Sequence, residues 1–293
     1  MNNTGRRVRA YGMAAAVAGC LCYGGFFYRA DADVLTRLSA VDVQLRLVGV
    51  FTPNQGNQAA TDARKKILAD VRHHLDEVDR AQPDCLPAVE FRAYLELLEH
   101  EYLRSAELYG RALRLEGVTP EIRDTLAMNQ ALGLRRGGRL KESLDCLLED
   151  AFLPKNRAKV LLERARVQYS LGRPQEALET AQRVVSLDPV EPMSLVVTGQ
   201  LLEEWGDPVG AERTYLRAAT QAEMASYYIG RLKVCGGDFD MGLAMLERAV
   251  RGAGSQKIRA LLRRDAELWE PVSREERFIT VVSSRASAAP PKR

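Results

Sequence analysis

The sequence predicts an all-α protein: a right-handed α-solenoid of about five helix-turn-helix repeats with a C-terminal capping segment, preceded by one N-terminal transmembrane or signal helix. Three observations lead to this prediction. Small residues recur at a fixed spacing in the middle of the chain, and a long run without charged residues lies near its beginning. Runs that alternate between apolar and polar residues are missing, so we expect essentially no β-sheet.

The fixed spacing is clearest between residues 158 and 225. Three pairs of small residues are each separated by 34 residues: Ala165 and Gly199, Gly172 and Gly206, Ala177 and Ala211. A repeat of this length indicates stacked helical hairpins. Apolar residues at helical spacing precede each helix-ending glycine, and a proline suited to the first turn of the next helix follows it. The small residues are expected where paired helices cross, because a larger side chain would force the helix axes apart.

This pattern resembles the tetratricopeptide repeat (TPR) family, and with the N-terminal segment it resembles a membrane-anchored TPR protein. The predicted repeats cover residues 33–85, 86–119, 120–157, 158–191 and 192–252, the last range holding two units. The range 33–85 is a degenerate first repeat. Residues 255–282 no longer fit the repeat and are predicted to cap the open end of the array, since an exposed repeat end needs a polar cover. Residues 283–293 are expected to be disordered because of their composition.

The uncharged run extends from Ala10 to Tyr28, a stretch of 19 residues, and follows the basic residues Arg6, Arg7 and Arg9. At ~1.5 Å per residue, a helix of this length spans a hydrocarbon core of ~30 Å. The basic flank, residues 1–9, is expected to stay cytoplasmic. The sequence therefore predicts a single-pass membrane protein whose repeat domain is extracytoplasmic, or periplasmic in a bacterium.

Two other interpretations of this segment stay open. Residues 17–20, Val-Ala-Gly-Cys, resemble the bacterial lipobox, in which Cys20 would be lipidated and become the new N-terminus. The apolar core before Cys20 is short for such a signal, and the residues after it are not a polar tether. Cleavage and simple secretion is the third interpretation. A buried helix of a soluble protein is disfavoured, because the run is apolar all round.

Composition and motifs give no support for an enzyme. The chain has 42 basic and 39 acidic residues, and this balance lacks the basic stripe that nucleic-acid binding needs. A phosphate-binding loop, a Gly-x-Ser-x-Gly elbow and a His-Glu-x-x-His motif are all missing from the sequence. We therefore expect no catalytic residues, no cofactor, no metal and no nucleic-acid partner.

The resemblance to TPR proteins implies that the first helix of each repeat lines a concave groove for a protein or peptide. Applied position by position, this resemblance predicts the following groove residues: Met128, Leu132, Arg135, Leu162, Arg166, Tyr169, Val196, Gln200, Tyr227 and Arg231. The Lys and Asn pattern of carboxylate-clamping TPR proteins is not matched. Arg166 and Arg231 are nevertheless expected to face one concavity and hold acidic groups. Replacing both with Ala is expected to weaken partner capture without lowering the melting temperature.

The predicted function is therefore a membrane-tethered scaffold or adaptor for protein–protein interaction that uses a TPR groove on the extracytoplasmic side. The alternative is an envelope lipoprotein that assists assembly or export of a surface polymer or an outer-membrane protein. Lipidation of Cys20 would favour this alternative. Nothing in the sequence identifies the partner, and a fold alone does not define a function.

Overall fold

The computed structural model describes residues 32–48, 58–148, 151–251 and 255–283. All regular secondary structure in these ranges is helical. The chain forms two compact units that divide between Asn156 and Arg157, whereas the sequence pattern suggested a single repeat domain over residues 33–282. Within the described ranges, no helix combines the length and apolar character needed to cross a bilayer. The predicted membrane segment, residues 10–28, lies outside the described residues.

The described residues of the first unit form three helix pairs. They are α1 (Ala32–Val48) with α2 (Gln58–Ala81), α3 (Leu86–Leu98) with α4 (Tyr102–Ala112), and α5 (Pro120–Arg136) with α6 (Leu140–Asp145), followed by a 3-10 turn (Pro154–Asn156). Helix α1 packs on α2, and Val41, Leu75 and Val78 are fully buried there. Residues 33–85 thus contain the helix pair predicted for the degenerate first repeat. Helix α6 is unusually short for a repeat helix, which the sequence did not indicate.

The second unit contains three further pairs and a terminal segment. The pairs are α7 (Arg157–Ser170) with α8 (Pro174–Val185), α9 (Pro192–Glu204) with α10 (Pro208–Ala218), and α11 (Glu223–Cys235) with α12 (Phe239–Val250). The terminal segment contains α13 (Ser255–Arg264), a 3-10 helix (Ala266–Val272) and α14 (Glu276–Ser283). The described residues therefore hold six pairs, two of which lie in residues 192–252, the range in which the sequence analysis placed two units.

The predicted turn residues end the helices of the second unit. Gly172 and Gly206 have φ angles of +74° and +87°, a left-handed conformation that favours glycine. Pro174 and Pro208 lie in the first turn of the following helices, where a missing N–H costs no intrahelical hydrogen bond. The short connection lets α7 contact α8 and α9 contact α10 along their lengths.

The small residues of the 34-residue spacing lie at helix crossings. Ala177 and Ala211 are fully buried. A Cβ added to Gly199 would lie 2.4 Å from Cε1 of Tyr215, so α9 and α10 cross with no room for a side chain at this position. The first unit has serine at the equivalent second-helix positions. Ser105 and Ser143 are fully buried, and each hydroxyl donates a hydrogen bond of 2.7 Å to a first-helix carbonyl oxygen.

The terminal segment packs on the last repeat of the second unit. Its 3-10 helix contacts α11, while α13 and α14 contact α12. The centroid of the Trp269 ring lies 5.7 Å from that of Tyr227 and 6.0 Å from that of Phe278, and only 1% of Trp269 is exposed. The hydroxyl of Tyr227 donates a 2.7 Å hydrogen bond to Asp265. Residues 255–283 therefore cover the last repeat of the second unit, with Trp269 buried at the contact.

Candidate partner-binding groove

The first helices of the three repeats in the second unit are neighbours. Helix α7 contacts α9, and Arg231 on α11 reaches Glu203 on α9. This arrangement follows from the common length of the repeats, which returns each first helix to the same side of its predecessor. We call the side of α7, α9 and α11 that carries Arg166, Gln200 and Arg231 the second-unit groove.

The guanidinium of Arg231 is held by two internal partners. It donates a hydrogen bond of 2.6 Å to Oε1 of Glu203 and lies 4.9 Å from the ring centroid of Tyr228. The other oxygen of Glu203 accepts a bond of 3.1 Å from the hydroxyl of Tyr215. Burial lowers the pKa of Arg231, but the ion pair with Glu203 outweighs it and raises the pKa above its usual value. The main role of Arg231 is therefore structural, because its charge is already paired within the unit.

Arg166 is also paired with an acidic residue. It donates to Glu163, one helical turn earlier on α7, at 3.2 Å. Its side chain is 34% exposed, compared with 18% for Arg231. The two arginines predicted for the groove in the second unit thus lie beside internal carboxylates, which balance their charge. The expectation that removing Arg231 leaves stability unchanged is not supported by this geometry, because its loss would leave Glu203 without its cation.

The same unit contains an aromatic stack with one exposed ring. The rings of Tyr169 and Trp205 are stacked with centroids 4.7 Å apart and an interplanar angle of 10°. Tyr169 is 41% exposed although it is a large aromatic residue. Trp205 is the first residue after α9 and is not among the residues predicted for the groove. The sequence does contain an indication of this residue, because a tryptophan directly precedes the helix-ending Gly206.

The other nominated residues of this unit differ in accessibility. Leu162, Val196 and Tyr227 are buried, at 4%, 1% and 0% exposure, so they form the core beneath the groove and do not reach a partner. Gln200 is half-buried. Met193, which was not nominated, is 45% exposed and precedes Val196 by one helical turn, so it adds apolar surface to the same side of α9.

The nominated residues of the first unit lie on α5. Met128, Leu132 and Arg135 are half-buried and follow one another at helical spacing. Tyr94 on α3 is an exposed aromatic residue of the same unit, with 40% of its surface accessible. The first unit therefore offers a second surface of similar composition but without a stacked aromatic pair among its described residues.

Titratable side chains do not form a metal-binding cluster in the described ranges. No group of three or more His, Cys, Asp or Glu residues there could hold a metal ion. Burial raises the pKa of the Cys85 and Cys146 thiols. This increase disfavours the nucleophilic thiolate form at neutral pH.

Comparisons with known proteins identify the fold. No family model matches the sequence, and no curated protein does. The structure of yeast Tom70 is similar with a TM-score of 0.50 and 12% identity, covering 92% of this chain and 62% of that chain. The Pseudomonas aeruginosa pilF structure has a TM-score of 0.46 and 19% identity, covering 77% of this chain and 99% of that chain. Both are TPR-type helical repeat proteins.

Proposed function

Because the chain has a TPR-type helical-repeat fold, we propose that it is a protein-binding adaptor whose second-unit groove receives a protein or peptide partner. The exposed ring of Tyr169, stacked on the half-buried Trp205, is the observation that carries this proposal. A ring already held by stacking offers a large contact area and loses little conformational entropy on binding. Met193 extends this surface with a flexible apolar side chain.

The partner is anchored mainly by apolar and aromatic contacts. Glu163 and Glu203 neutralise the two groove arginines, so the groove floor attracts an acidic partner only weakly. Arg166 keeps about a third of its side chain exposed and can still donate hydrogen bonds to a partner's carbonyl or carboxylate oxygens. We therefore expect added salt to weaken binding only modestly.

Crosslinking in cells followed by mass spectrometry would identify the partner, and one pair of variants tests the groove. Tyr169→Ala should weaken capture of that partner about tenfold, because exposed aromatic anchors dominate interfaces of this kind. Tyr94→Ala removes an equally exposed tyrosine from the first unit and should leave capture unchanged. Unchanged capture by Tyr169→Ala, with loss by Tyr94→Ala, would assign the binding surface to the first unit and contradict the proposal.

The proposal includes a membrane tether formed by residues 10–28. It is supported by the 19 uncharged residues of this segment and by the three arginines before it, which favour an extracytoplasmic repeat region. We expect the full-length protein to stay with membranes through a high-pH carbonate wash, and a chain beginning at Asp31 to remain in the supernatant. Release of the full-length protein by the wash would count against a spanning anchor.

The alternative function, an envelope lipoprotein that assists export or assembly, is favoured by the lipobox-like sequence before Cys20. The variant Cys20→Ser distinguishes the two forms of attachment. A spanning anchor predicts unchanged mass and unchanged membrane retention for this variant. A lipoprotein predicts fatty acid on the wild-type protein and an unprocessed precursor in the variant.

A further inference from the structure

Helix α1 carries two apolar stripes at the spacing of a coiled coil. The inner stripe is buried and consists of Val34, Leu38, Val41, Leu45 and Val48. The outer stripe lies on the opposite side of the helix and consists of the polar residue Thr36 followed by the apolar residues Ala40, Val43 and Leu47. Its successive spacings of four, three and four residues are those of a heptad repeat. Val43 is 48% exposed and Leu47 is 44% exposed.

The outer stripe lies on the first helix that the structure describes in the first unit. Helix α1 packs on α2 and α3 through its inner stripe, and Val43 and Leu47 stay exposed among the described residues of this unit. In the second unit, by contrast, the last repeat is covered by α13, α14 and the 3-10 helix. A terminal repeat helix normally presents a polar outer face. Two large apolar side chains at this position therefore indicate a surface that becomes covered.

We propose that the outer stripe of α1 pairs with the same stripe of a second copy of this chain, in a parallel and in-register dimer. This proposal rests on the membrane tether proposed above. Only three residues separate Tyr28, the end of the uncharged run, from Ala32, the first residue of α1. Tethered copies thus present α1 at the same height and in the same direction. A heptad stripe accommodates another helix better than it does an extended peptide.

The charges of α1 permit this self-association. Its two arginines already have acidic neighbours within the unit: Arg46 lies 2.9 Å from Asp42, and Arg37 lies 3.8 Å from Glu77. In a parallel pair with this register, the flanking residues that meet across the interface are Ser39 and Gln44, which are uncharged. Like charges therefore do not oppose the dimer.

The membrane supplies the concentration that a short interface needs. Helix α1 contains 17 residues, or little more than two heptads, and isolated coiled coils of this length are weak. Confinement of two copies to one bilayer raises their effective concentration and favours pairing without any further contact. The dimer is thus expected for the full-length protein in membranes and to be weaker in detergent solution.

Oxidative crosslinking of the full-length protein in its own membranes tests the proposal. Val43→Cys and Leu47→Cys each place a thiol on the outer stripe. Asp42→Cys places one on an adjacent side of the same helix, where the native side chain is 40% exposed. We expect about tenfold more disulfide-linked dimer from the stripe variants than from Asp42→Cys, after subtraction of the wild-type signal from the native cysteines. The double variant Val43→Asp with Leu47→Asp should lose chemically crosslinked dimer while keeping the wild-type melting temperature.

The outcomes separate the dimer from the tether. Equal crosslinking at Asp42 and Val43 would indicate random collision and overturn the dimer. No crosslinking of membrane-bound protein would overturn the dimer while leaving the tether intact. Recovery of the full-length protein outside the membrane fraction would overturn the tether and with it the stated basis of the proposal. Selective crosslinking at Val43 and Leu47 in the membrane would support both.

Discussion

At the scale of single residues, space at the helix crossings limits what the chain tolerates. Gly199 and Tyr215 illustrate this limit, because the tyrosine ring occupies the volume that a side chain at residue 199 would need. Tyr215 cannot move away easily, since it is fully buried and its hydroxyl donates to Glu203. The ring also stacks on Tyr228 with centroids 5.3 Å apart. Residue 199 therefore has to be glycine, because the fixed Tyr215 ring leaves no space for a side chain.

Gly199→Ala should destabilise the second unit by roughly 1–3 kcal/mol, because the new Cβ overpacks the Tyr215 ring. This cost opposes the gain of about 1 kcal/mol in helix propensity that alanine brings at an ordinary helix position. Urea denaturation followed by circular dichroism would measure the change. Glu204→Ala, at an exposed position of the same helix, is the control and should stay within about 0.5 kcal/mol of wild type. Equal stability of the two variants would show that residue 199 is not a tight crossing.

At the scale of helices, arginines connect the second helix of one repeat to that of the preceding repeat. Arg217 in the last turn of α10 donates to the carbonyl oxygens of Val185, the last residue of α8, and of Leu187, two residues beyond it. Arg248 on α12 donates to the carbonyl oxygen of Ala219 at the end of α10, at 2.9 Å. The last carbonyls of a helix lack intrahelical partners and carry partial negative charge. The arginines thus satisfy helix ends across repeat boundaries.

Arg217→Ala should lower the free energy of unfolding by about 1 kcal/mol, because two carbonyl oxygens at the end of α8 lose a charged donor. Arg217→Lys should restore only part of this stability, since one ammonium group replaces a planar fork of donors. Arg213→Ala, one turn earlier on α10 and also exposed, is the matched control. An equal shift of the urea midpoint for Arg213→Ala and Arg217→Ala would show that the contact of Arg217 with the end of α8 does not stabilise the unit.

At the scale of the whole chain, each compact unit has its own core, and the second unit is closed by its terminal segment. Trp269, Tyr227 and Asp265 hold that segment on α11. Hydrogen bonds from Arg264 and, to a smaller extent, from Tyr227 outweigh burial and hold the pKa of Asp265 below its ordinary value of 3.8. The folded state therefore favours the ionised carboxylate more than the unfolded state does.

This pKa shift predicts an acid sensitivity of the terminal segment. A carboxyl group with a depressed folded-state pKa contributes its full stability above the unfolded value, and the contribution is lost as the pH falls through the folded value. We expect urea stability of the wild type to decrease below about pH 4, and Asp265→Asn to remove part of that decrease while lowering stability at neutral pH. Glu267→Gln, at an exposed position of the same terminal segment, is the control. Identical pH profiles for wild type and Asp265→Asn would exclude this role.

The sequence by itself determined the helical class, the repeat length and the small residues at the crossings. These features are local, because the spacing of apolar residues defines a helix face and a glycine or alanine at a fixed period defines where helices can approach. Gly172 and Gly206 could be placed at helix ends for the same reason, since their neighbours along the chain already specify the turn. The membrane segment and the partner-binding role of the groove stay predictions.

Only the tertiary structure decided which groove residues are available to a partner. Arg231 meets a carboxylate 28 residues earlier in the chain, and Tyr169 stacks on a tryptophan from the next repeat. Tyr227, which repeat position alone assigned to the groove, is buried under the terminal segment. Sequence spacing specifies the side of a helix on which a residue lies. Packing between distant segments determines what covers that side, because burial and ion pairing depend on neighbours that no local pattern records.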